Sequence, residues 1–287
     1  MSILPRYLII GAGNGGCALA AELVLRVRNV MLFDYPAFES RLAPLRAPGG
    51  MHVESRVAHF TRGVGVHFAR LPELSTDITG AAATDVIIVV VPGQHHAQVI
   101  EAIPPHLRPG HLVLLNPGGV GGALLWADAL RRAGHQDILL AQAADLVYAG
   151  FRTPEAKVVV ADKKVRASLG VFPLRVHDRA MALLAHDFPE FVLAADVLEA
   201  GLQGPGMLVH PLPMRERRAP HAAGMICIRP MAPLGDRART SPKLSTCTTT
   251  RIHDAGMPKR RKASAMTAAI GSAAVATLRC PAETGSA

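Results

Sequence analysis

Gly11, Gly13 and Gly16 stand at G-x-G-x-x-G spacing, with Ala12, Asn14 and Gly15 between them. A short apolar run, residues 7–10, precedes them, and residues 17–25 suit a buried helix. Residues 30–33 form a second apolar run that ends at Asp34. In such an order the first glycine permits a tight turn. The second lets the backbone approach a pyrophosphate, and the third lets helix and strand pack closely. The helix start then offers free N–H groups and the positive end of its dipole to phosphate. Asp34 lies 18 residues past Gly16, close to the separation of about 20 at which an acid meets the adenosine ribose. A carboxylate there accepts from the 2′-hydroxyl and repels a 2′-phosphate, which favours NAD over NADP. Arg41, seven residues on, softens that choice and keeps NADP in view. A glycine-rich turn without a ligand is the competing reading, and the ordered strand, helix and acid weigh against it.

Four other places carry residues with chemistry. Asn116 precedes Pro117 and suits an Asx-type turn, which is compatible with a place beside a cofactor. His95 and His96 follow Pro92-Gly93 and read as the start of a helix. Asp145 and Arg152 fit a cleft or a solvated surface equally. His210 can give and take a proton near neutral pH, or it can be a helix-end histidine held by backbone.

These residues need a scaffold, and the chain alternates strand and helix. Residues 86–91 (VIIVVV) are wholly apolar, as a parallel strand covered on both faces would be. Residues 112–115 and 138–141 read as further strands, with helices over 95–103 and 124–132. This pattern predicts an α/β fold, a Rossmann-type doubly wound parallel sheet. Ligands of such sheets sit at the carboxyl ends of the strands. The turns at Gly11, Asp34, Pro92 and Asn116 are therefore expected on one rim, and the cofactor-binding set is Gly11, Ala12, Gly13, Asn14, Gly15, Gly16, Asp34, Pro92 and Asn116. Residues 157–161 and 165–173 read as a strand pair that extends the sheet in antiparallel fashion, followed by helices over 179–187 and 192–202. The division expected is a dinucleotide-binding domain over 1–156, the start of a helical substrate domain over 157–213, and a distinct tail over 214–287.

The 287 residues carry a net charge of +9, and that excess is confined to the tail, where 13 Lys and Arg face 4 Asp and Glu. The tail holds none of the 12 aromatic residues and three of the four cysteines, Cys227, Cys247 and Cys280, at spacings unlike a zinc site. Cys17 reads as a small buried residue. Without aromatic side chains for stacking, the basic cluster at 259–262 offers at most salt-sensitive binding to polyanions, so no nucleic-acid partner is expected. No apolar run reaches the length of a membrane span, no signal-peptide pattern opens the chain, and a cytoplasmic protein is expected. The tail reads as disordered, or as the product of a reading frame shifted near Met214.

The motifs GAGNGG at 11–16, VVVPGQHH at 89–96, LLNPGG at 114–119, YAGFR at 148–152 and MLVHP at 207–211 stand in one order over the first 213 residues. That set resembles the opine dehydrogenases, the octopine/nopaline dehydrogenase family. The resemblance implies an NAD(P)H-dependent oxidoreductase that condenses the amine of an amino acid with a 2-oxo acid and reduces the imine. It implies His210 as the catalytic acid/base and Asn116 under the nicotinamide end of the cofactor. Its partners would be small-molecule substrates, with self-association left open. The chain departs from the family pattern at Gln142, where relatives have glutamate, at Gly150, where they have cysteine, and at Gly204 and Gly206, where asparagines are common. It departs from it throughout after Met214. Two alternatives follow: an NAD-binding remnant without turnover, and a dehydrogenase of a 2- or 3-hydroxy acid on the same fold.

Overall fold

In the computed structural model, residues 4–204 are described. The chain runs β1 (Tyr7–Ile10), α1 (Asn14–Leu25), β2 (Val30–Phe33), α2 (Glu39–Arg46), β3 (Gly50–Ser55), β4 (Gly65–Arg70) and β5 (Glu73–Ser75). It continues through β6 (Val86–Val89), α3 (His96–Ala102), β7 (Leu112–Leu115), α4 (Gly122–Arg132), β8 (Leu139–Ala143) and β9 (Tyr148–Thr153). The last elements are β10 (Lys157–Lys163), β11 (Ala167–Phe172), α5 (His177–Leu184), β12 (Phe191–Leu193) and α6 (Val197–Gln203).

Every residue of β1, β6 and β7 is buried, because these strands fill the middle of a sheet covered on both faces. That sheet has eight strands in the order β12-β11-β8-β7-β6-β1-β2-β5. Its strands from β8 to β5 are parallel, and β11 joins β8 antiparallel. Successive strands move outward from β1 through β2 on one side and from β6 through β7 on the other, so the strand order reverses between β1 and β6. The expected Rossmann-type α/β fold is present. Tyr7 and Ile9 face a core shared with α1, while Leu8 and Ile10 face one shared with α3, α4 and α6.

A second sheet, in the order β4-β3-β10-β9, covers the far side of α1. Residues 50–75 carry no clear strand signal in the sequence. The reason is visible in β4, whose apolar Val66 and Phe68 face outward and are 66% and 39% exposed. Alternation there marks no buried face.

Two sequence expectations are corrected. First, β10 and β11 do not pair with each other. β10 pairs β3 in parallel and β9 antiparallel, whereas β11 pairs β8 and β12. The chain divides between the two sheets at Lys163, whose ammonium is buried between Glu22 Oε1 of α1 at 2.9 Å and Glu190 Oε2 at 3.6 Å. The pairing runs across residue 156, so residues 157–204 complete both sheets. Second, residues 192–202 are not one helix. Asp196 Oδ1 accepts from the N–H groups of Leu198 and Glu199, at 2.8 Å each, and this cap starts α6 after the short strand β12.

Candidate dinucleotide-binding site

The carboxyl ends of β1, β2, β6 and β7 open on a cleft of about 770 Å³ at the point where strand order reverses, the place at which α/β sheets take ligands. Of the nine residues expected to hold a cofactor, Gly11, Gly13, Asn14, Gly15, Asp34, Pro92 and Asn116 line it, and Ala12 and Gly16 lie behind it. The glycines have distinct roles. Gly11 has φ +110°, and a Cβ there would lie 2.4 Å from the Val90 carbonyl oxygen. At Gly16 a Cβ would lie 1.8 Å from the Gly11 carbonyl oxygen, so α1 can cross β1 this closely only without one. A Cβ on Gly13 would meet nothing within 4 Å and would stand in the cleft itself. The first turn of α1 carries no acidic side chain, so its dipole faces the cleft uncompensated.

Asp34 is 2% exposed and held on both oxygens. Oδ2 accepts from Ala12 N–H at 3.0 Å and from Arg41 Nη1 at 3.2 Å, and Oδ1 accepts from Tyr35 N–H at 3.0 Å. The Arg41 guanidinium lies over the Phe38 ring, 4.2 Å from its centroid, and Phe38 meets His95 edge-on at 5.9 Å. Burial, with the Asp34 and Glu101 charges, pushes the Tyr35 phenol up to about 12, so its hydroxyl stays protonated and donates to the Gln98 carbonyl at 3.2 Å.

Arg152 is the residue whose place local sequence signals did not reveal. It reaches from β9 of the second sheet to the glycine loop. Its Nη1 donates to the Ala12 carbonyl at 2.6 Å, its Nη2 to the Arg41 carbonyl at 2.7 Å, and its backbone N–H to Asn14 Oδ1 at 3.1 Å. Gly150 is explained by the same strand, since a Cβ there would lie 2.3 Å from the Val159 carbonyl oxygen. Asp145 is paired with Lys164 Nζ at 2.5 Å.

Across the cleft, Asn116 is 1% exposed, and its Oδ1 is buried without a partner among the described residues. A buried acceptor left open costs about 1–3 kcal/mol, so a donor from a bound molecule is the natural complement. The loop after Asn116 is pinned by Gln142. Its Oε1 accepts from Ala123 N–H at 2.8 Å, and its Nε2 donates to the carbonyls of Gly119 at 2.7 Å and Val197 at 3.0 Å. Gln142 thus has the amide chemistry that this loop requires.

His96 accepts at Nδ1 from the Trp126 indole N–H at 3.1 Å, and burial holds its pKa below the usual value. It is a neutral anchor for the start of α3. Cys17 is buried, its thiol is pushed up to about 11 by burial, and its Sγ donates to the Ala12 carbonyl at 3.4 Å. His210, Gly206 and the MLVHP motif lie outside the described residues. Among the described residues no group of three His, Cys, Asp or Glu is placed to hold a metal ion, and no helix is long and apolar enough to cross a membrane.

No family model matches the chain. Opine dehydrogenase of Arthrobacter sp. (strain 1C) is 29% identical over 209 residues, which cover 72% of this chain and 55% of that one. Among solved structures, NADP+-bound yersinopine dehydrogenase superposes with a TM-score of 0.58 at 18% identity, covering 72% of this chain and 52% of that one. Octopine dehydrogenase with NADH and agmatine gives a TM-score of 0.57 at 20% identity, covering 74% and 54%. The chain spans about half the length of these relatives. Over that shared stretch, which carries the glycine loop, the buried acid and the open asparagine on one rim, the chain is similar to an opine dehydrogenase.

Proposed function

We propose that this chain is the dinucleotide-binding part of an opine dehydrogenase-type oxidoreductase. One observation carries the reading: a phosphate-ready helix start, a buried ribose acid and an unpartnered Asn116 Oδ1 converge on a single cleft at the switch point of the sheet. Gly13 would admit the pyrophosphate, Asp34 would accept from the adenosine ribose, and Asn116 would accept from the nicotinamide half. Bound NAD(P)H supplies a hydride, and the protein supplies position and electrostatics.

The reaction joins the amine of an amino acid to the carbonyl of a 2-oxo acid with loss of water, and reduces the resulting C=N to a secondary amine. His210 is our candidate for the group that moves a proton at the oxo-acid carbonyl. We assign the dinucleotide unit to residues 4–204 and the onset of the substrate part to the residues beyond.

The test is a fluorescence titration with NADH, followed by NADH oxidation with pyruvate and pooled amino acids. Binding, with oxidation that requires both co-substrates, is the expected result. Binding without oxidation identifies a dinucleotide-binding unit lacking turnover. Oxidation with a hydroxy-acid precursor and no amine moves the assignment to the hydroxyacid dehydrogenases. A chain that binds no NADH refutes the reading.

A further inference from the structure

Helix α6 seats tightly on β11 at Gly170, where a Cβ would stand 2.5 Å from Val197 Cα. Phe172 lies two residues on and keeps the same face of the strand. No residue of α6 lines the space over it. Phe172 is only half-buried, although Leu140, its cross-strand partner in β8, is buried. Between α4 and the turn after β11 a groove of about 560 Å³ therefore opens onto the sheet. Its bed is apolar, made by Leu124 and Ala127 of α4, Ile138 and Leu140 at the start of β8, and Phe172 and Pro173. That volume lies in the range of small-ligand sites, about 300–1,000 Å³.

Cations complete the lining, through Arg131, His135 and Arg175. Asp128 is the one acid among the described lining residues, and it is shared by Arg131, at 2.8 Å, and Arg132. Arg175 is exposed and has no carboxylate partner among the described residues. Asp178, three positions on, pairs with His177 instead, at 3.1 Å. Counting Arg132, three guanidiniums stand against one carboxylate at this edge of the molecule. Charge thus selects the occupant. The last 74 residues of the chain carry 13 Lys and Arg against 4 Asp and Glu, so that segment is repelled, whereas an anion is drawn in.

We propose that this groove is a second ligand site, for an amphipathic carboxylate. Its alkyl chain lies on the bed of Leu124, Ala127, Leu140 and Phe172, and its carboxylate meets Arg131 and Arg175, whose planar forks suit that group. No residue lines both this groove and the dinucleotide cleft, so the two sites fill independently. The inference stands apart from the dinucleotide reading.

The experiment titrates the full chain by calorimetry with monomeric decanoate, below micelle formation, and with octanoate and decylammonium. Decanoate should bind at one equivalent with Kd of about 0.1 mM. Octanoate, two methylenes shorter, should bind about 10- to 15-fold more weakly, and decylammonium at least about tenfold more weakly. Arg175→Gln should weaken decanoate about 3- to 10-fold and leave decylammonium unchanged. Ala127→Phe fills the bed and should weaken decanoate by more than about tenfold. Circular dichroism confirms that each variant is folded, and saturating NADH should leave the decanoate Kd within about twofold. Decylammonium that binds as well as decanoate, or decanoate binding that neither variant moves, overturns the inference. Competition between decanoate and NADH places the ligand in the dinucleotide cleft and overturns it as well. A full chain that binds no decanoate has the groove filled already, and sedimentation then tells a second copy from the chain's own residues; either result overturns the inference.

Discussion

Gly13 and Gly16 lie three residues apart in one loop, and alanine should damage binding at the first and stability at the second. At Gly16 the new Cβ would start 1.8 Å from the Gly11 carbonyl oxygen, against an ordinary contact of at least 3.4 Å. That oxygen cannot simply retreat, because the Gly11 N–H is bonded to the Phe33 carbonyl at 2.8 Å. Helix α1 would have to lift from β1. Overpacking of this kind costs about 1–3 kcal/mol, and the upper end applies to a clash with backbone. For a domain of this size about 3 kcal/mol lowers Tm by about 6–12 °C. Gly13 differs in every respect. Its φ of −80° suits any L-residue, and a Cβ there meets nothing within 4 Å. Alanine gains about 0.4–1 kcal/mol through the unfolded chain but is a poorer N-cap for α1 than glycine, so Tm should stay within about 3 °C of wild type. The methyl would occupy the approach to the pyrophosphate, so at least one charged hydrogen bond of about 1.5–3 kcal/mol is lost and NADH binding should weaken about 10- to 100-fold. Thermal melts and NADH fluorescence titrations of the two variants decide the matter. A Gly13→Ala chain that binds NADH like wild type, or a Gly16→Ala chain that melts with it, would refute the division of labour.

Three further outcomes follow from the same geometry. Asn116→Leu removes a buried acceptor that lacks a partner among the described residues, so melts should show stability equal to or above wild type, while NADH titrations show affinity lowered by about 1–2 kcal/mol. Gln142→Glu sets a carboxylate against the carbonyls of Gly119 and Val197 and should cost about 2–5 kcal/mol at pH 8. A protonated Glu keeps one donor, so the deficit measured by urea unfolding should shrink toward pH 5; a deficit independent of pH contradicts this role. His96 is held neutral by burial, with its Nδ1 accepting from Trp126. Its folded pKa lies below the unfolded value of about 6.5, so the unfolded chain gains the proton first and stability is lost as pH falls through and below 6.5. Melts from pH 8 to 5 should show that slope, and His96→Phe should flatten it.

The centre of the fold was legible because its strands are extreme. Residues 7–10, 86–89 and 112–115 have no charged member and are apolar but for the Tyr7 hydroxyl, and such runs suit a sheet covered on both faces. Asp34 was legible through its distance from a glycine loop, a distance set by one helix and one strand. The second sheet was not, since the apolar side chains of β4 point to solvent and its partners β9 and β10 lie far along the chain. The pairing of β10 escaped for a related reason: Lys163 reads as a surface cation until Glu22 and Glu190 are seen around it. His96 starts α3, as Pro92-Gly93 before it suggests, but its bond to Trp126 spans 30 residues and leaves no local mark. Arg152 belongs to a motif that marked it by resemblance, while its partners lie more than 100 positions earlier in the chain.

The Arg152 clamp joins residues 140 positions apart, and β10 lies between β3 and β9 in the second sheet. In kinetic terms, the glycine turn is made from contacts of very unequal range. β1 and β2 can pair early across one helix, whereas closing the loop to Arg152 carries a larger entropic cost and waits for distant strands. On a chain that emerges from its N-terminus, the phosphate loop is synthesised 140 positions ahead of Arg152 and takes its final shape only after it.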